Sequence, residues 1–550
     1  MTAFIIENMA PIMFVSLILF LILGYPVAFA LSAVGLGFAF LSIELGLFGE
    51  NFLRALPDRV YGTMSNETLL AIPFFTFMGL VLQRSGMAED LIDTVGQLFG
   101  PVRGGLAYAV VFVGALLAAT TGVVAASVIS MSLIALPIML RYGYDRYLAT
   151  GVIMASGTLA QTIPPSIILI VLADQFGQSV GDVYKGALVP ALLLVVLYAA
   201  YVFGLTMLKP DAAPPIPKEA RRLNEADGTV GPKSLAAMLI FIALAIFGFI
   251  RLLQALFPGL PEMDTVIYGA ALGTIAGYVV ALANRNLKLG LLSRMAEAVV
   301  IVLVPPLALI FLVLGTIFLG VATPTEGGAM GAAGALIMAI GRRRLSFGML
   351  SEAIDATARL STFVMFILIG SRVFALTFYG VNGHEWVEHL LLSLPGGVVG
   401  FLIIVNLVVF LLGFFLDFFE IAFILVPLLA PAAQALGVDL VWFAVMLAVN
   451  LQTSYLTPPF GFALFFMRSA TPSKAYTDTV TRRRIEGIRT IDLYRATLAF
   501  IVLQLVMIGL LVAFPQLVTH YKGPEVQYED SEIEIPGLGD DLDLPELDFN

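Results

Sequence analysis

Apolar residues run along this chain in long blocks, near residues 10–43, 68–83, 106–140, 148–173, 188–208, 234–256, 264–283, 297–341, 360–380, 397–430, 440–467 and 496–519. A helix crosses hydrocarbon with roughly 20 residues, and several blocks are long enough for two crossings or a hairpin, so the pattern predicts about 12 to 15 helical segments. The blocks are too long and too continuously apolar for the alternating strands of a membrane barrel. The expected fold is an all-α polytopic membrane protein.

Polar interruptions inside these blocks carry the chemistry. Block 148–173 has Gln161, Thr162, Pro164, Pro165 and Ser166 at its centre, and block 440–467 has Gln452, Thr453, Thr457, Pro458, Pro459 and Gly461. Proline lacks the amide donor and clashes with the carbonyl one turn back. Two in succession predict a broken helix, and broken backbone survives in a membrane only where protein or a wet cavity receives it. Discontinuous helices offer free carbonyls to a cation and half-helix N-termini to an anion. A single Pro-Pro reads equally well as a structural kink; two at matching places favour an ion or substrate site.

The places do match. The stretch beginning at Pro137 aligns without a gap to the one beginning at Pro431, which sets Gly143 against Gly437, Asp145 against Asp439 and Pro164-Pro165 against Pro458-Pro459. Further on, DVYKGA from Asp182 matches DLYRAT from Asp492, and YPVAFALSAVG from Tyr25 loosely matches TPTEGGAMGAA from Thr323. Preserved order and spacing indicate an internal repeat.

Loop charge orients the two copies, because cytoplasmic loops carry excess Lys and Arg. Arg141 and Arg146 flank a loop whose repeat mate has no base; Arg468, Lys474, Arg482, Arg483, Arg484, Arg489 and Arg495 follow the second Pro-Pro, where the first copy has only Lys185. Arg342, Arg343 and Arg344 fall opposite the acidic Glu44 region. The copies therefore have opposite orientations, with the N-terminus and C-terminal tail outside and a Pro- and charge-rich linker inside. The expected organisation is a first inverted repeat over 1–208, the linker 209–234, connecting transmembrane helices over 235–284, a second repeat over 285–519 and an acidic, disordered periplasmic tail over 520–550. Inverted repeats with broken helices are the architecture of secondary transporters; a duplicated scaffold with no transport role is the plainer alternative.

Composition agrees and excludes some chemistry. The 550 residues are 59% hydrophobic and 12% charged, with a mean hydropathy of +0.98. Residues 523–550 hold 10 Asp/Glu and no Lys/Arg, which leaves the rest balanced at 29 acids and 29 bases, so the net charge of −10 belongs to the tail. There is no cysteine, which excludes disulfides, thiolate catalysis and cysteine metal sites. No complete phosphate-binding loop and no zinc-protease motif occurs. Neither a cofactor nor nucleic-acid binding is expected.

Further polar intrusions extend the candidate set. Thr120, Thr121 and Gly122 interrupt block 106–140; Gly413, Asp417 and Glu420 lie in the equivalent region of the second half. Thr323 and Glu326 interrupt block 297–341, Ser65, Asn66 and Glu67 open block 68–83, and Arg372 lies within LIGSRVFALTF. Ionisable residues inside a membrane are costly and default to function. Buried pairing or snorkelling is the structural reading of each. Arg372 offers a planar fork to a substrate carboxylate, or neutralises one of these acids.

The stretches GYPVAFAL, AIPFFTFMG, IPPSI, GVATPTEGGAMGA, GFFLDFFEIAF and LTPPFGFALF together resemble the large membrane subunit of TRAP (tripartite ATP-independent periplasmic) transporters, over residues 12–518. GHEWVEHLL and LDFFEIAF look most like a branch labelled for mannitol or chloroaromatic compounds. The resemblance implies Na⁺-driven uptake of a small organic acid, such as a 2-oxo acid, in the bacterial inner membrane, with an elevator motion. It also implies two partner chains: a small four-helix membrane subunit and a periplasmic substrate-binding protein. It places sodium where hairpin tips meet broken helices. Here those regions hold Thr120, Thr121, Gly122, Thr162, Pro164 and Ser166 in half one, and Gly413, Asp417, Thr453, Thr457 and Gly461 in half two. Ser65, Asn66, Glu67, Gln161, Thr323, Glu326, Arg372 and Gln452 are the candidate substrate residues. The sequence departs from the family at ATTGVVAAS, where many members read Ser-Gly-Ser-Ser-x-Ala-Thr; its hydroxyls are Thr120, Thr121 and Ser127. The alternative within transport is a stand-alone Na⁺/carboxylate carrier or ion exchanger of related fold.

Overall fold

The computed structural model describes residues 2–223, 231–478 and 480–522. The acidic stretch 523–550 and the middle of the linker lie outside the described residues.

The long blocks divide where glycine, proline and short polar residues interrupt them. Block 10–43 becomes helices Met9–Ile22 and Val27–Glu44, divided at Gly24, whose φ of +82° suits glycine. Block 106–140 folds back on itself as Gly105–Thr121 and Val124–Arg141 (hairpin one). Block 397–430 does the same as Gly397–Leu412 followed by Phe418–Ile424 and Val426–Ala435 (hairpin two). Among the described residues, eight helices are long and apolar enough to span a membrane, or up to 11 if each of three bent pairs counts as one span. Among the described residues, the one strand pairing is a ribbon of Tyr476–Thr477 with Arg484–Ile485.

Both expected breaks are present. Arg146–Thr158 runs through a 3-10 turn to Gln161, and the helix restarts at Ile167–Gln175. Leu440–Leu456 stops and restarts as Phe462–Ala470. Both Pro-Pro bonds are cis. A third pair, Pro305-Pro306, lies inside the continuous helix Arg294–Phe318. Adjacent prolines alone therefore do not break a helix here.

The inversion is visible in side-chain contacts. Leu56–Met64 and Ala71–Arg84 form one arm, and Phe347–Gly380 is its counterpart in half two. The arms lie side by side and antiparallel: Phe52 abuts Gly380 at one end and Arg84 pairs with Glu352 at the other. Each half also packs its preceding helix on the other half's arm. Val27–Glu44 meets Phe347–Gly380, where Thr377 donates to the Gly35 carbonyl at 2.9 Å. Pro324–Gly341 meets Ala71–Arg84, with Gly328 against Phe75 and Gly331 against Met78. Small residues of this kind let membrane helices approach closely.

The ion pairs of Arg84, Arg141, Arg146, Arg342, Arg344 and Arg489 gather at one end of the bundle, which the positive-inside rule assigns to the cytoplasm. Linker residues 210–222 lie across the base of hairpin one at that end, through Gly104 N–H to Ala213 O at 2.9 Å and Ile216 N–H to Gly100 O at 2.8 Å. The Lys522–Asp439 pair marks the opposite end. The centre is formed by Arg146–Thr158, buried from Leu148 onward, and Leu440–Leu456, buried along its whole length. Pro232–Leu256 and Glu262–Leu287 pair at the periphery, where Gly269, Gly273 and Gly277 face Ile250, Ile246 and Ile242.

Candidate functional site

Each hairpin tip meets the broken helix of its own half. At tip one, Gly122 ends its helix with φ +59°, and a Cβ there would lie 3.2 Å from Ile167 and 3.4 Å from the Pro165 carbonyl. Thr121 shares its hydroxyl with Ser127 at 2.9 Å across the turn and with the Leu117 carbonyl at 2.8 Å; Thr120 donates to the same carbonyl at 3.0 Å. Arm residue Gly79 closes the other side, where a Cβ would sit 2.5 Å from Thr121 Cα.

Break one is sealed, with residues 161–167 all buried. Ser166 donates to the Gln161 carbonyl at 2.8 Å, and Tyr184 donates to the Ser166 carbonyl at 3.3 Å. Among the described residues, nothing donates to the carbonyls of Thr162, Ile163 and Pro164. Gln161 is 0% exposed and neither amide atom of its side chain has a partner. Buried polar groups are nearly always paired, so this one requires an explanation.

Tip two carries charge where tip one carries hydroxyls. Asp417 caps the Phe418–Ile424 helix, accepting from Phe418 N–H at 2.7 Å and from the Tyr455 hydroxyl. Glu420 completes a capping box by accepting from Asp417 N–H at 2.8 Å. Gly413 lies against the central helix, where a Cβ would sit 2.7 Å from Ser454 Cβ, and Phe415 packs on Phe460 at 5.2 Å. The carbonyls of Tyr455, Leu456 and Pro458 receive no donor among the described residues. Thr457 donates back to Thr453 at 2.8 Å, and Thr453 to Val449 at 2.9 Å, so both hydroxyl oxygens keep lone pairs available. Gly461 N–H closes the break on the Thr457 carbonyl at 3.0 Å.

A buried chain links the two breaks. Thr162 donates to Gln452 at 3.0 Å, Gln452 donates to the Tyr198 hydroxyl at 3.1 Å, and Gln504 donates to the same oxygen at 2.8 Å. Tyr198 and Gln504 were invisible to pattern reading, since neither belongs to a polar run within its long spanning helix. Gly79 stood inside the quoted AIPFFTFMG motif without any signal of its role at a hairpin tip.

The other candidates separate into two places. Thr323 and Glu326 line an open cavity of about 440 Å³ on the exoplasmic end with Thr68, Asp174 and Gln178; Asn66 and Glu67 are bonded beside it, and Ser65 donates to the Tyr61 carbonyl at 2.7 Å without lining it. There Thr325 donates to the Glu67 carbonyl at 2.6 Å and Asn66 to Asp174 at 2.7 Å. Glu326 is exposed and accepts from Thr323 N–H at 2.8 Å in a second capping box. The nine-residue helix Ile167–Gln175 separates this mouth from break one, about 13 Å at 1.5 Å per residue. Arg372 is half-buried on its arm and pairs with none of these acids among the described residues; its neighbour Ser371 donates to the Phe423 carbonyl of hairpin two at 2.5 Å.

Comparison with known proteins gives the family. The family profile described as "Tripartite ATP-independent periplasmic transporter, DctM component" matches residues 14–517. A C4-dicarboxylate TRAP transporter large permease protein of Pseudomonas aeruginosa is 28% identical over 78% of this chain and 84% of its own. A sialic acid TRAP transporter large permease protein of Vibrio cholerae is 23% identical over 90% of this chain and 93% of its own. Among solved structures, the YdaH transporter of Alcanivorax borkumensis superposes with a TM-score of 0.48 at 16% identity, covering 85% of this chain and 90% of that one. The chain belongs to the DctM family of tripartite ATP-independent periplasmic transporters, as a large, multi-pass permease subunit of the bacterial inner membrane.

Proposed function

We propose that this subunit carries a small organic acid inward, driven by sodium, together with a small membrane subunit and a periplasmic binding protein. One observation carries the reading: in each half a hairpin tip abuts a broken helix whose carbonyls are left without donors. Unwound carbonyls and hydroxyls are the oxygen ligands sodium takes in such folds. In half one these are the carbonyls of residues 162–164 with the hydroxyls of Thr120, Thr121, Thr162 and Ser166. In half two they are the carbonyls of Tyr455, Leu456 and Pro458 with Thr457 and the Asp417 carboxylate.

The ion is cargo, and coupling is a difference of affinities. Sodium draws each tip onto its break, which completes a seat for the acid between the halves, and the acid in turn holds the ions. The buried central helices and tips move together past the arms, in an elevator motion. The relatives' printed names, C4-dicarboxylate and sialic acid, support a carboxylate as cargo. The test is uptake into proteoliposomes holding this chain and its small subunit, with binding protein outside. Uptake should collapse when the sodium gradient is removed. Undiminished uptake would end the coupling claim, and uptake without any partner would favour a stand-alone carrier.

A further inference from the structure

We propose that the ribbon at the cytoplasmic end docks on anionic phospholipid headgroups of the surrounding membrane, through Lys474, Arg482, Arg483 and Arg484, with Val480 at the contact. The inference is independent of what the subunit carries.

The loop between helices Phe462–Ala470 and Thr490–Ala513 holds five bases, Lys474, Arg482, Arg483, Arg484 and Arg489, and two acids, Asp478 and Glu486. Both acids pair with arginines of the helices beside them. Asp478 accepts from Arg141 at 3.0 Å, at the base of hairpin one, and Glu486 accepts from Arg146 at 2.9 Å. Arg489 pairs with Asp492 in the next helix at 3.5 Å. The other four bases are exposed, and among the described residues no acid pairs with them. The ribbon therefore spends its negative charge on the protein and leaves its positive charge outside. The positive-inside rule asks only for an excess of bases in the loop, not for this sorting. Elsewhere at the same end bases are spent on the protein: Arg342 and Arg344 both reach Asp90, and Arg342 also donates to the Ile301 carbonyl at 2.9 Å.

The turn of the ribbon adds two observations. Val480 is 66% exposed and lies two residues before the arginine run. Arg482 has a φ of +57°, and its N–H closes the turn on the Asp478 carbonyl at 3.0 Å. Glycine would take that backbone at less cost; the position carries a charge instead. An apolar side chain beside bases suits the boundary between headgroup and acyl chain, where the one enters and the others meet phosphate.

The level is right as well. Leu440–Leu456 and Phe462–Ala470 are 17 and 9 residues long, together about 39 Å at 1.5 Å per residue. That exceeds a hydrocarbon core of about 30 Å, so Ala470 emerges among the cytoplasmic headgroups. The 24 residues of Thr490–Ala513 start back from the same level. The chain's own acidic stretch, 523–550, follows Lys522 at the opposite end of the bundle and is not the anion. Asp478 ties the ribbon to hairpin one, and Phe462–Ala470 runs from break two. Headgroups that hold the ribbon thus hold the cytoplasmic ends of both halves.

The chain has no cysteine, so Val480→Cys carries a spin label at one place. The labelled full-length chain is put into vesicles of phosphatidylcholine, alone or mixed with phosphatidylglycerol. With phosphatidylglycerol at about 50 mM salt the label should slow and gain access to oxygen dissolved in the bilayer, and at about 0.5 M salt screening should remove the change. Arg482→Gln, Arg483→Gln and Arg484→Gln together should need at least about tenfold more phosphatidylglycerol, since each base near an anionic surface is worth about fivefold. The unfolding midpoint in phosphatidylcholine checks the fold. Should the triple variant fold poorly, Arg483→Gln with Arg484→Gln should give a smaller shift of the same sign. The same spectrum in both lipids overturns the proposal, and so does an equal phosphatidylglycerol response in the variants. A label that responds to pyrophosphate or a short DNA duplex over phosphatidylcholine, but not to phosphatidylglycerol, makes the ligand a soluble polyanion and overturns the lipid assignment.

Discussion

Helix Leu440–Leu456 and helix Pro232–Leu256 read alike as apolar segments, yet they have opposite surroundings. The first is buried along its whole length; the second has 6% of its best spanning window buried, although that window's mean hydropathy is 2.5. The difference lies in the polar and small residues. Leu440–Leu456 carries Asn450, Gln452, Thr453 and Ser454, and its neighbour Arg146–Thr158 carries Thr150, Gly151, Ser156 and Gly157. Pro232–Leu256 shows Leu239, Leu244, Phe247 and Leu252 to its surroundings. Lipid is as apolar as leucine, so hydrophobicity does not sort inside from outside in a membrane. Close packing and hydrogen bonding do. The helix that carries the run of polar side chains is therefore the one at the centre.

The largest effect should come from crowding the centre. Gly413→Val puts a side chain where a Cβ already lies 2.7 Å from Ser454 Cβ, and pushes hairpin two off its break. Uptake should fall about a hundredfold, the scale set by misplacing a reacting group by about 1 Å, with the protein still folded by its unfolding midpoint. Next comes Tyr198→Phe, which leaves the Gln452 and Gln504 amides without their shared acceptor. That should cost about 1–3 kcal/mol, the penalty for a buried unpaired group, read as a lower midpoint. At the periphery, Gly273→Leu would drive a Cβ to 2.5 Å from the Ile246 amide nitrogen. The overpacking should cost about 1–3 kcal/mol of stability while leaving uptake per folded molecule near the wild type. If Gly273→Leu abolished uptake as Gly413→Val does, the division between working centre and lipid-facing edge would be wrong.

Much of the fold was legible because it rests on length, order and charge. Hydropathy found the spans, the repeat matched Pro164-Pro165 to Pro458-Pro459, and loop arginines gave the opposed orientations that the Phe52–Gly380 and Arg84–Glu352 contacts display. Block 106–140 did not announce itself as a hairpin rather than a bent span, because the turn needs only Gly122 and a neighbouring tertiary surface. Proline pairing was an incomplete signal. Pro305-Pro306 stays helical, whereas the two broken sites have polar neighbours and a hairpin tip pressed on them. Of the candidate residues, those named for the breaks gather at the tips. Thr323 and Glu326 line a separate mouth, with Asn66 and Glu67 bonded beside it, while Ser65 and Arg372 stand apart. Sequence spacing along one helix predicts its own break but not which distant helix closes over it. For the same reason Tyr198 and Gln504, which extend the Thr162–Gln452 link from other helices, left no trace in the pattern.

The smallest expected effect lies outside the membrane, where the comparison predicts little coupling to the site. Asp478 sits in the cytoplasmic loop that carries the ribbon, within 3.0 Å of both Arg141 Nε and a terminal guanidinium nitrogen. The Thr481 N–H and hydroxyl, each at 2.7 Å, and then Arg141 hold its carboxyl down at about 2. A carboxyl depressed from its unfolded value of about 3.9 stabilises the fold fully above that value. The contribution fades as pH falls from there toward about 2. Asp478→Asn should therefore lower the unfolding midpoint by about one to two degrees, the scale of accessible ion pairs. The gap between wild type and variant should be the same at pH 5 and pH 8 and should close only below pH ~4. Uptake should be unaltered at both values. A gap that widened between pH 5 and pH 8 would show that the loop senses a proton in the working range, and would tie this exposed end of hairpin one to the buried tip it supports.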